Sequence, residues 1–273
     1  MVKMQHFLRI SKYIGSLPDL VQGPGGNVSI KTNGHIVIKA SGFCLRDIRK
    51  NYGYIKVKNS PDMIVVANGD SSTPSIETFL HVLIDSKYVI HAHSVSINVF
   101  SCMKNGEQEL RKIIKLPFLF LRFRRPGADI GRELKKAIRK NKTLPSVIVL
   151  QNHGLITHHN SAQKALDLMM ITDLYAKKYL EKNGIVPFKV LKERCDVNNH
   201  LFPDSVVFFT KNKMDIALER KELFFELYSA HNYILDSISK LGKTPNFLSA
   251  SEVKKIRNMR QEKYRKNKYA ILK

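Results

Sequence analysis

With 273 residues and 43% hydrophobic content, the chain can bury a sizeable core, as one large domain or as a domain with an extension. The N-terminus (Met1 to His6) has no apolar leader core, no apolar run reaches the roughly 18–20 residues of a membrane span, and the three scattered cysteines (Cys44, Cys102, Cys195) have no C-x-x-C spacing; a cytoplasmic protein without membrane span, disulfide framework or thiolate metal site is expected. The net charge of +23 is spread along the whole chain, densest at Leu121–Arg125 and Lys254–Lys273, and with no Trp and no DNA or RNA module a nucleic-acid partner is not expected.

Residues 4–14 set Phe7, Leu8, Ile10 and Ile14 at helical spacing and predict a short helix. Gly23-Pro24-Gly25-Gly26 forbids a regular element and predicts a loop whose open backbone amides suit an anion or simply a hairpin entry. Strands follow over 27–32 and 35–40, joined by the turn Asn33-Gly34. A second glycine loop, Ala40-Ser41-Gly42-Phe43, leads to strands near 53–58 and 62–67 that continue an antiparallel meander. The stretch Ser71 to Thr78 carries hydroxyl caps, Pro74 and the acid Glu77, which predicts a helix over 75–86. Taken alone, Glu77 is an acid favoured by the helix dipole.

Tyr88-Val89-Ile90-His91-Ala92-His93 predicts a buried strand with both histidines on one face. Two adjacent buried imidazoles need partners: either hydrogen bonds within the core, or a divalent metal such as Zn²⁺, which takes nitrogen ligands. A helix over 94–104, a charged helix or loop over 107–114 and a strand over 116–123 follow; a turn at Arg125-Pro126-Gly127 then precedes a helix over 128–140. Pro145 to Leu150 predicts a second buried strand, running into Gln151-Asn152-His153-Gly154, where strand and glycine fix the backbone of His153 and aim its side chain. A long amphipathic helix over 161–182 comes next. The composition shifts near 190–200 to basic helices, with one further strand predicted over Phe202 to Phe208. His158 and His159 read as solvated turn residues, and Arg125, Lys135 and Lys136 as surface charge.

Five motifs therefore occur in one order: Gly25-Gly26-Asn27-Val28-Ser29, Lys39-Ala40-Ser41-Gly42, Pro74-Ser75-Ile76-Glu77 with His81, His91-Ala92-His93, and Asn152-His153-Gly154. In order and spacing they resemble the class II aldolase/adducin family, which includes fuculose-phosphate and rhamnulose-phosphate aldolases and ribulose-phosphate 4-epimerase. The resemblance covers residues 5–182. Leu201 to Val207 and Glu262-Lys263-Tyr264-Arg265 resemble, less specifically, the C-terminal part of the aldolase domain in bifunctional aldolase/dehydrogenases.

The resemblance implies an α/β/α layered fold with a central, mainly antiparallel mixed sheet flanked by helices. It divides the chain into a class II aldolase/adducin domain over 1–200 and a basic, mostly helical extension over 201–273, packed on that domain or on a neighbouring subunit. It implies that His91, His93 and His153 bind one Zn²⁺ per subunit, leaving the open position of a catalytic site. Glu77 becomes the acid/base, and the metal a Lewis acid that stabilises an enediolate. An anion site maps onto Gly26, Asn27, Ser41, Gly42 and Ser75, but Ile76 stands where a second serine is expected and cannot donate a hydrogen bond. Lys31 or Lys39 could compensate, or the substrate could carry a carboxylate or bulkier group. His81 either supports the site or is an ordinary buried histidine. The family's tyrosine from a neighbouring subunit has no motif-matched counterpart, leaving Tyr228, Tyr233 and Tyr264 as candidates.

The expected function is that of a zinc-dependent lyase. It would reversibly cleave a hydroxylated, ketose-like sugar, phosphorylated or otherwise anionic, as a homotetramer or other homo-oligomer. The alternatives are a sugar-phosphate epimerase, a keto-acid decarboxylase, or a non-catalytic adducin-like binding module. Glu77 favours cleavage, since the family's epimerases tend to carry aspartate there, and three intact histidines favour an enzyme over a scaffold.

Overall fold

The computed structural model describes residues 2–60, 72–192, 197, 199–209 and 221–271, without the side chains of 2 and 221–223. The strand expected near 62–67, Ser71 and Cys195 lie outside the described residues. Helix α1 (Val2–Gly15) leads into the hairpin β1 (Asn27–Thr32) and β2 (His35–Lys39), with Asn33 and Gly34 both at positive φ in the turn. Then come β3 (Tyr54–Lys58), α2 (Thr78–Leu83), β4 (Tyr88–Ala92), α3 (Val95–Ser101), α4 (Gly106–Ile113), β5 (Phe118–Leu121) and α5 (Ala128–Lys140). Strands β6 (Val147–Leu150) and β7 (Gly154–His159) follow, with the long α6 (Ala162–Lys182) after them. The C-terminal part is helical: α7 (Pro203–Phe208), α8 (Lys221–Lys240), α9 (Ala250–Arg257) and α10 (Arg260–Ile271).

The strands form one sheet in the order β3-β2-β1-β4-β7-β6-β5, antiparallel throughout except where β5 lies parallel to β6. Successive residues of β4 serve opposite faces. Val89 packs with Leu80 of α2, Ile130 and Leu134 of α5, and Ile148 and Ile156 of the sheet, while Ile90 packs with Ile14 of α1, Val28, Val99 of α3 and Met169 of α6. Helices thus cover both faces of a mainly antiparallel mixed sheet, the expected α/β/α layering. The alternation puts His91 on the α2 side with Val89, and α2 is the element that follows Glu77.

Three local expectations change. Helix α2 begins at Thr78 rather than 75, because the preceding chain is held extended against β2: Ser75 N donates to Lys39 O and Pro74 bridges to Ala40. Residues 203–208 form helix α7 instead of a strand. Pro203 at the first turn and Asp204 beside it are helix-start chemistry. All six residues of α7 are buried, which erases the amphipathic period and leaves an apolar run that imitates a core strand. His158 is buried in β7 rather than solvated: Nδ1 meets Ser86 Oγ at 2.9 Å and Nε2 meets Pro145 O at 3.0 Å. His159, at the end of the same strand, accepts from Ser161 N at 2.9 Å.

The C-terminal helices pack on the helical layer and on one another, with α8 on α3, and α9 and α10 on α7. Among the described residues no helix is long and apolar enough to cross a membrane.

Candidate metal centre

The site is assembled from two strand ends and the turn before α2. His91 lies within β4, His93 one residue past it, and His153 in the tight turn between β6 and β7. Pairing places Asn27, the first residue of β1, opposite His91. Two glycines permit this crowding: a Cβ at Gly26 (φ +61°) would sit 2.9 Å from His91 O, and one at Gly154 2.4 Å from Ala92 O. Asn152, also at positive φ, donates through its side chain to Leu201 O and Asn246 O, fixing the turn that presents His153.

The three rings face one another with centroids 5.0–5.2 Å apart. Glu77 closes the fourth side: its Oε1 is 3.3 Å from His91 Nε2 and 3.0 Å from His153 Nε2. One donor atom from each of these four buried residues lies within 4.8 Å of the other three. Glu77 Oε1 and the Nε2 atoms of His91 and His93 are buried without a hydrogen-bond partner. Buried polar atoms are rarely left so. A cluster of three imidazoles and a carboxylate, three of whose inward atoms are unsatisfied, is able to hold a metal ion.

The outward ring atoms are partly committed. His91 Nδ1 lies 3.1 Å from Leu155 O, which calls for the Nδ1–H tautomer and leaves the Nε2 lone pair facing the cluster. Burial lowers His93 to about 4 although Asp204 nearby works the other way, so this ring is neutral at physiological pH and its lone pair is available. Burial alone would raise the Glu77 carboxyl, but the His91 and His153 rings beside it work the other way and hold it well below the ordinary carboxylate range.

Glu77 is also held from behind. Asn27 Nδ2 donates to Glu77 Oε2 at 2.6 Å and to Ser75 Oγ at 3.3 Å, while Asn27 Oδ1 meets His81 Nε2. His81 Nδ1 in turn meets Ser29 Oγ at 2.7 Å, and burial lowers this ring to about 3. His81 therefore supports the site through Asn27.

The residues mapped to an anion site are brought near the cluster unevenly. Gly26, Asn27 and Ser75 adjoin it, but the Asn27 amide is spent on Glu77 and Ser75. Ser41 and Gly42 lie in the neighbouring loop, tied to the 72–75 stretch by Ser41 N donating to Thr73 O, and a Cβ at Gly42 would meet the Lys268 side chain at 2.8 Å. Ile76 lies against the turn ahead of α5, where a Cβ at Gly127 would sit 2.9 Å from its side chain. Lys39 is buried and donates to Pro24 O at 2.7 Å and Phe43 O at 2.9 Å, tying the two glycine loops together; burial and then the Arg265 charge lower it to about 8. Lys31 caps the end of α2 through Val82 O and Ile84 O. Of the candidate tyrosines, Tyr228 stacks on Phe209 and Tyr233 donates to Val186 O at 2.9 Å, while Tyr264 is half-buried on α10.

Sequence reasoning missed one approach to the cluster. Asp204 Oδ2 lies 3.2 Å from His93 Nδ1, and Arg265 donates to Asp204 Oδ1. Both residues stand in the two C-terminal stretches that carried a weak resemblance, and this was the only signal available.

Comparison with known proteins agrees with this geometry. The first relative, YuxG of Bacillus subtilis, described as an uncharacterized oxidoreductase, is 26% identical over 156 residues, covering 53% of this chain and 22% of YuxG; the chain thus spans about a fifth of that relative. The L-fuculose phosphate aldolase of Methanocaldococcus jannaschii is 30% identical over 145 residues, covering 50% of this chain and 73% of that enzyme. The solved N-terminal class II aldolase domain of a conserved Thermoplasma acidophilum protein superposes with a TM-score of 0.56 at 25% identity, covering 64% of this chain and 92% of that one. The sequence model of the Class II Aldolase and Adducin N-terminal domain matches residues 5–180, which span every strand of the sheet and all four residues of the cluster, and the chain belongs to that family.

Proposed function

We propose that the chain is a zinc-dependent aldolase that reversibly cleaves a hydroxylated, ketose-like, anionic sugar. The observation that carries the reading is the buried cluster of His91, His93, His153 and Glu77 with unsatisfied atoms aimed inward. The three imidazoles would hold the ion, and nitrogen ligands with one carboxylate suit zinc among the common divalent metals. Bound there, zinc supplies a Lewis acid beside the substrate carbonyl and offsets the negative charge that grows as the carbon–carbon bond breaks. Glu77 carries the proton on Oε1 while Asn27 holds Oε2, so the carboxylate keeps one orientation throughout. The anionic substrate class is carried over from the M. jannaschii relative's name and is supported by the strongly basic chain.

The test pairs metal analysis of the purified protein with retro-aldol assays over sugar phosphates and sugar acids. One zinc per chain is expected, and Glu77→Gln should lower turnover by about 10²–10⁴-fold, the usual worth of a general acid/base. A folded protein that takes up no stoichiometric divalent metal, or a Glu77→Gln variant with unchanged turnover, sinks the reading.

A further inference from the structure

We infer that Asp204 is the positioning carboxylate of His93, and that Arg265 and Glu262 of α10 hold it in place, so that the segment beyond residue 200 sets the affinity of the metal centre. The inference rests on the metal reading of the cluster, but both Asp204 and Arg265 lie outside the residues 5–180 matched by the family.

A ligating imidazole works best when its other nitrogen gives its proton to a fixed acceptor, which selects the tautomer and raises ligand basicity. His91 has such an acceptor in the main-chain carbonyl of Leu155. The acceptor for His93 comes from a side chain: Asp204 Oδ2 stands 3.2 Å from Nδ1, and both residues are buried. The contact is within ion-pair distance but off the line of a hydrogen bond, so a small ring rotation completes it. His93 Nε2, the opposite atom, is the one buried without a partner and facing the cluster.

The carboxylate is itself clamped. Arg265 donates to Asp204 Oδ1, its Nε lies 2.7 Å from Glu262 Oε2, and its guanidinium lies over the Phe208 ring at 5.3 Å. A buried carboxylate needs such company, because an uncompensated charge in the interior is costly. The glycine loop is shaped to the same contact. A Cβ at Gly25 would lie 2.8 Å from His93 Nδ1 and 3.0 Å from Asp204 Oδ2, so bare backbone at 25 lets the two side chains meet. Strand end, glycine loop, α7 and α10 therefore converge on one nitrogen of one ligand.

If Asp204 merely fastens α7 to α10, replacing it changes stability and leaves zinc affinity and the His93 tautomer alone. The experiment titrates the full-length, chelator-stripped protein with Zn²⁺ against a chromophoric competitor, for wild type, Asp204→Asn and Arg265→Lys. Long-range ¹H–¹⁵N spectra of the stripped proteins, recorded above pH 8, report the tautomers. Wild type should bind one zinc with His93 protonated on Nδ1. Asp204→Asn should bind one zinc about 10–100-fold more weakly, the usual cost of removing such a partner, and should shift His93 toward a tautomer mixture. Arg265→Lys, which keeps the charge but loses the two-point hold, should move both readouts the same way by less. If Asp204→Asn does not fold, Arg265→Lys alone decides. Unchanged affinity and tautomer in the folded variants, beside a wild type that binds one zinc, overturn this inference and leave the metal reading standing. A wild type that binds no zinc removes both.

Discussion

The sheet and the helices beyond residue 200 approach the same few atoms by different means. From the sheet side the clustered histidines are set by main-chain geometry: β1 pairs with β4 to put Asn27 opposite His91, β7 offers Leu155 O to His91, and the Asn152-His153-Gly154 turn carries the third ring. From the C-terminal side, side chains carry much of the hold, alongside main-chain acceptors such as Leu201 O. Glu226 of α8 takes the Gly23 amide at 3.1 Å and Arg46 at 2.6 and 2.8 Å, Asp204 meets His93, and Asn246 exchanges amide hydrogen bonds with Asn152. The first kind of hold tolerates much exchange of side chains, because a strand register depends on pattern rather than identity. The second kind fails with a single substitution. A fold can thus keep its strands across distant relatives while the support behind its site is rebuilt chain by chain.

That contrast can be broken on either side. The largest effect is expected for Gly154→Ala on the sheet side, since the new Cβ would lie 2.4 Å from Ala92 O, a main-chain atom with little room to yield. Overpacking of this kind typically costs about 1–3 kcal/mol or more, and urea unfolding should place Gly154→Ala toward or beyond the upper end. A variant within error of wild type would mean that the β4–β7 register is softer than its hydrogen bonds suggest. On the C-terminal side, Glu226→Gln removes the charge that two donors share, and hydrogen bonds to charged groups are worth about 1.5–3 kcal/mol. Chemical denaturation should show a loss near 2 kcal/mol, with Arg46 half-exposed and able to recover part of it from water. No loss would place the Gly23 loop under the control of the sheet alone.

The smallest increment is graded with pH. Each side keeps a buried histidine neutral: burial lowers His81 to about 3, and burial followed by the Arg257 charge lowers His200 to about 4, against an ordinary value of 6.5. Protonation below 6.5 therefore favours the unfolded chain. The stability each neutral ring contributes is complete above pH 6.5 and falls on acidification by about 1.4 kcal/mol per pH unit, until its folded value is reached. Replacing either histidine with glutamine should flatten the acid limb of a stability–pH curve between pH 6.5 and 4. An unchanged slope in one variant identifies the side whose histidine already titrates normally.

The sheet side was mostly legible from sequence because its signals are local. The Asn33-Gly34 turn, the 27–32 strand, the 128–140 helix and the H-x-H alternation each lie within thirteen residues and carry local signals. Helix α7 was misread as a strand because burial on every side removes the period that distinguishes a helix. Glu77 was legible as an acid at a helix start, but its grip by Asn27 spans 50 residues, and the Arg265–Asp204 pair spans 61. Pairings at that separation leave no mark on local pattern. Lys39 was read as a candidate anion contact, whereas its ammonium is consumed by two carbonyls of the loops it joins.

The reciprocal amide pair between Asn152 and Asn246 has a consequence for the order of assembly. A chain made from its N-terminus has produced all seven described strands and the three clustered imidazoles by residue 159, and the sheet can pair from then on. The turn carrying His153 still lacks its latch until residue 246 has left the ribosome and docked, nearly a hundred residues later. The nascent chain thus passes through an interval in which the strands are available but the turn that presents His153 is not yet latched, an interval that ends when the segment between α8 and α9 docks.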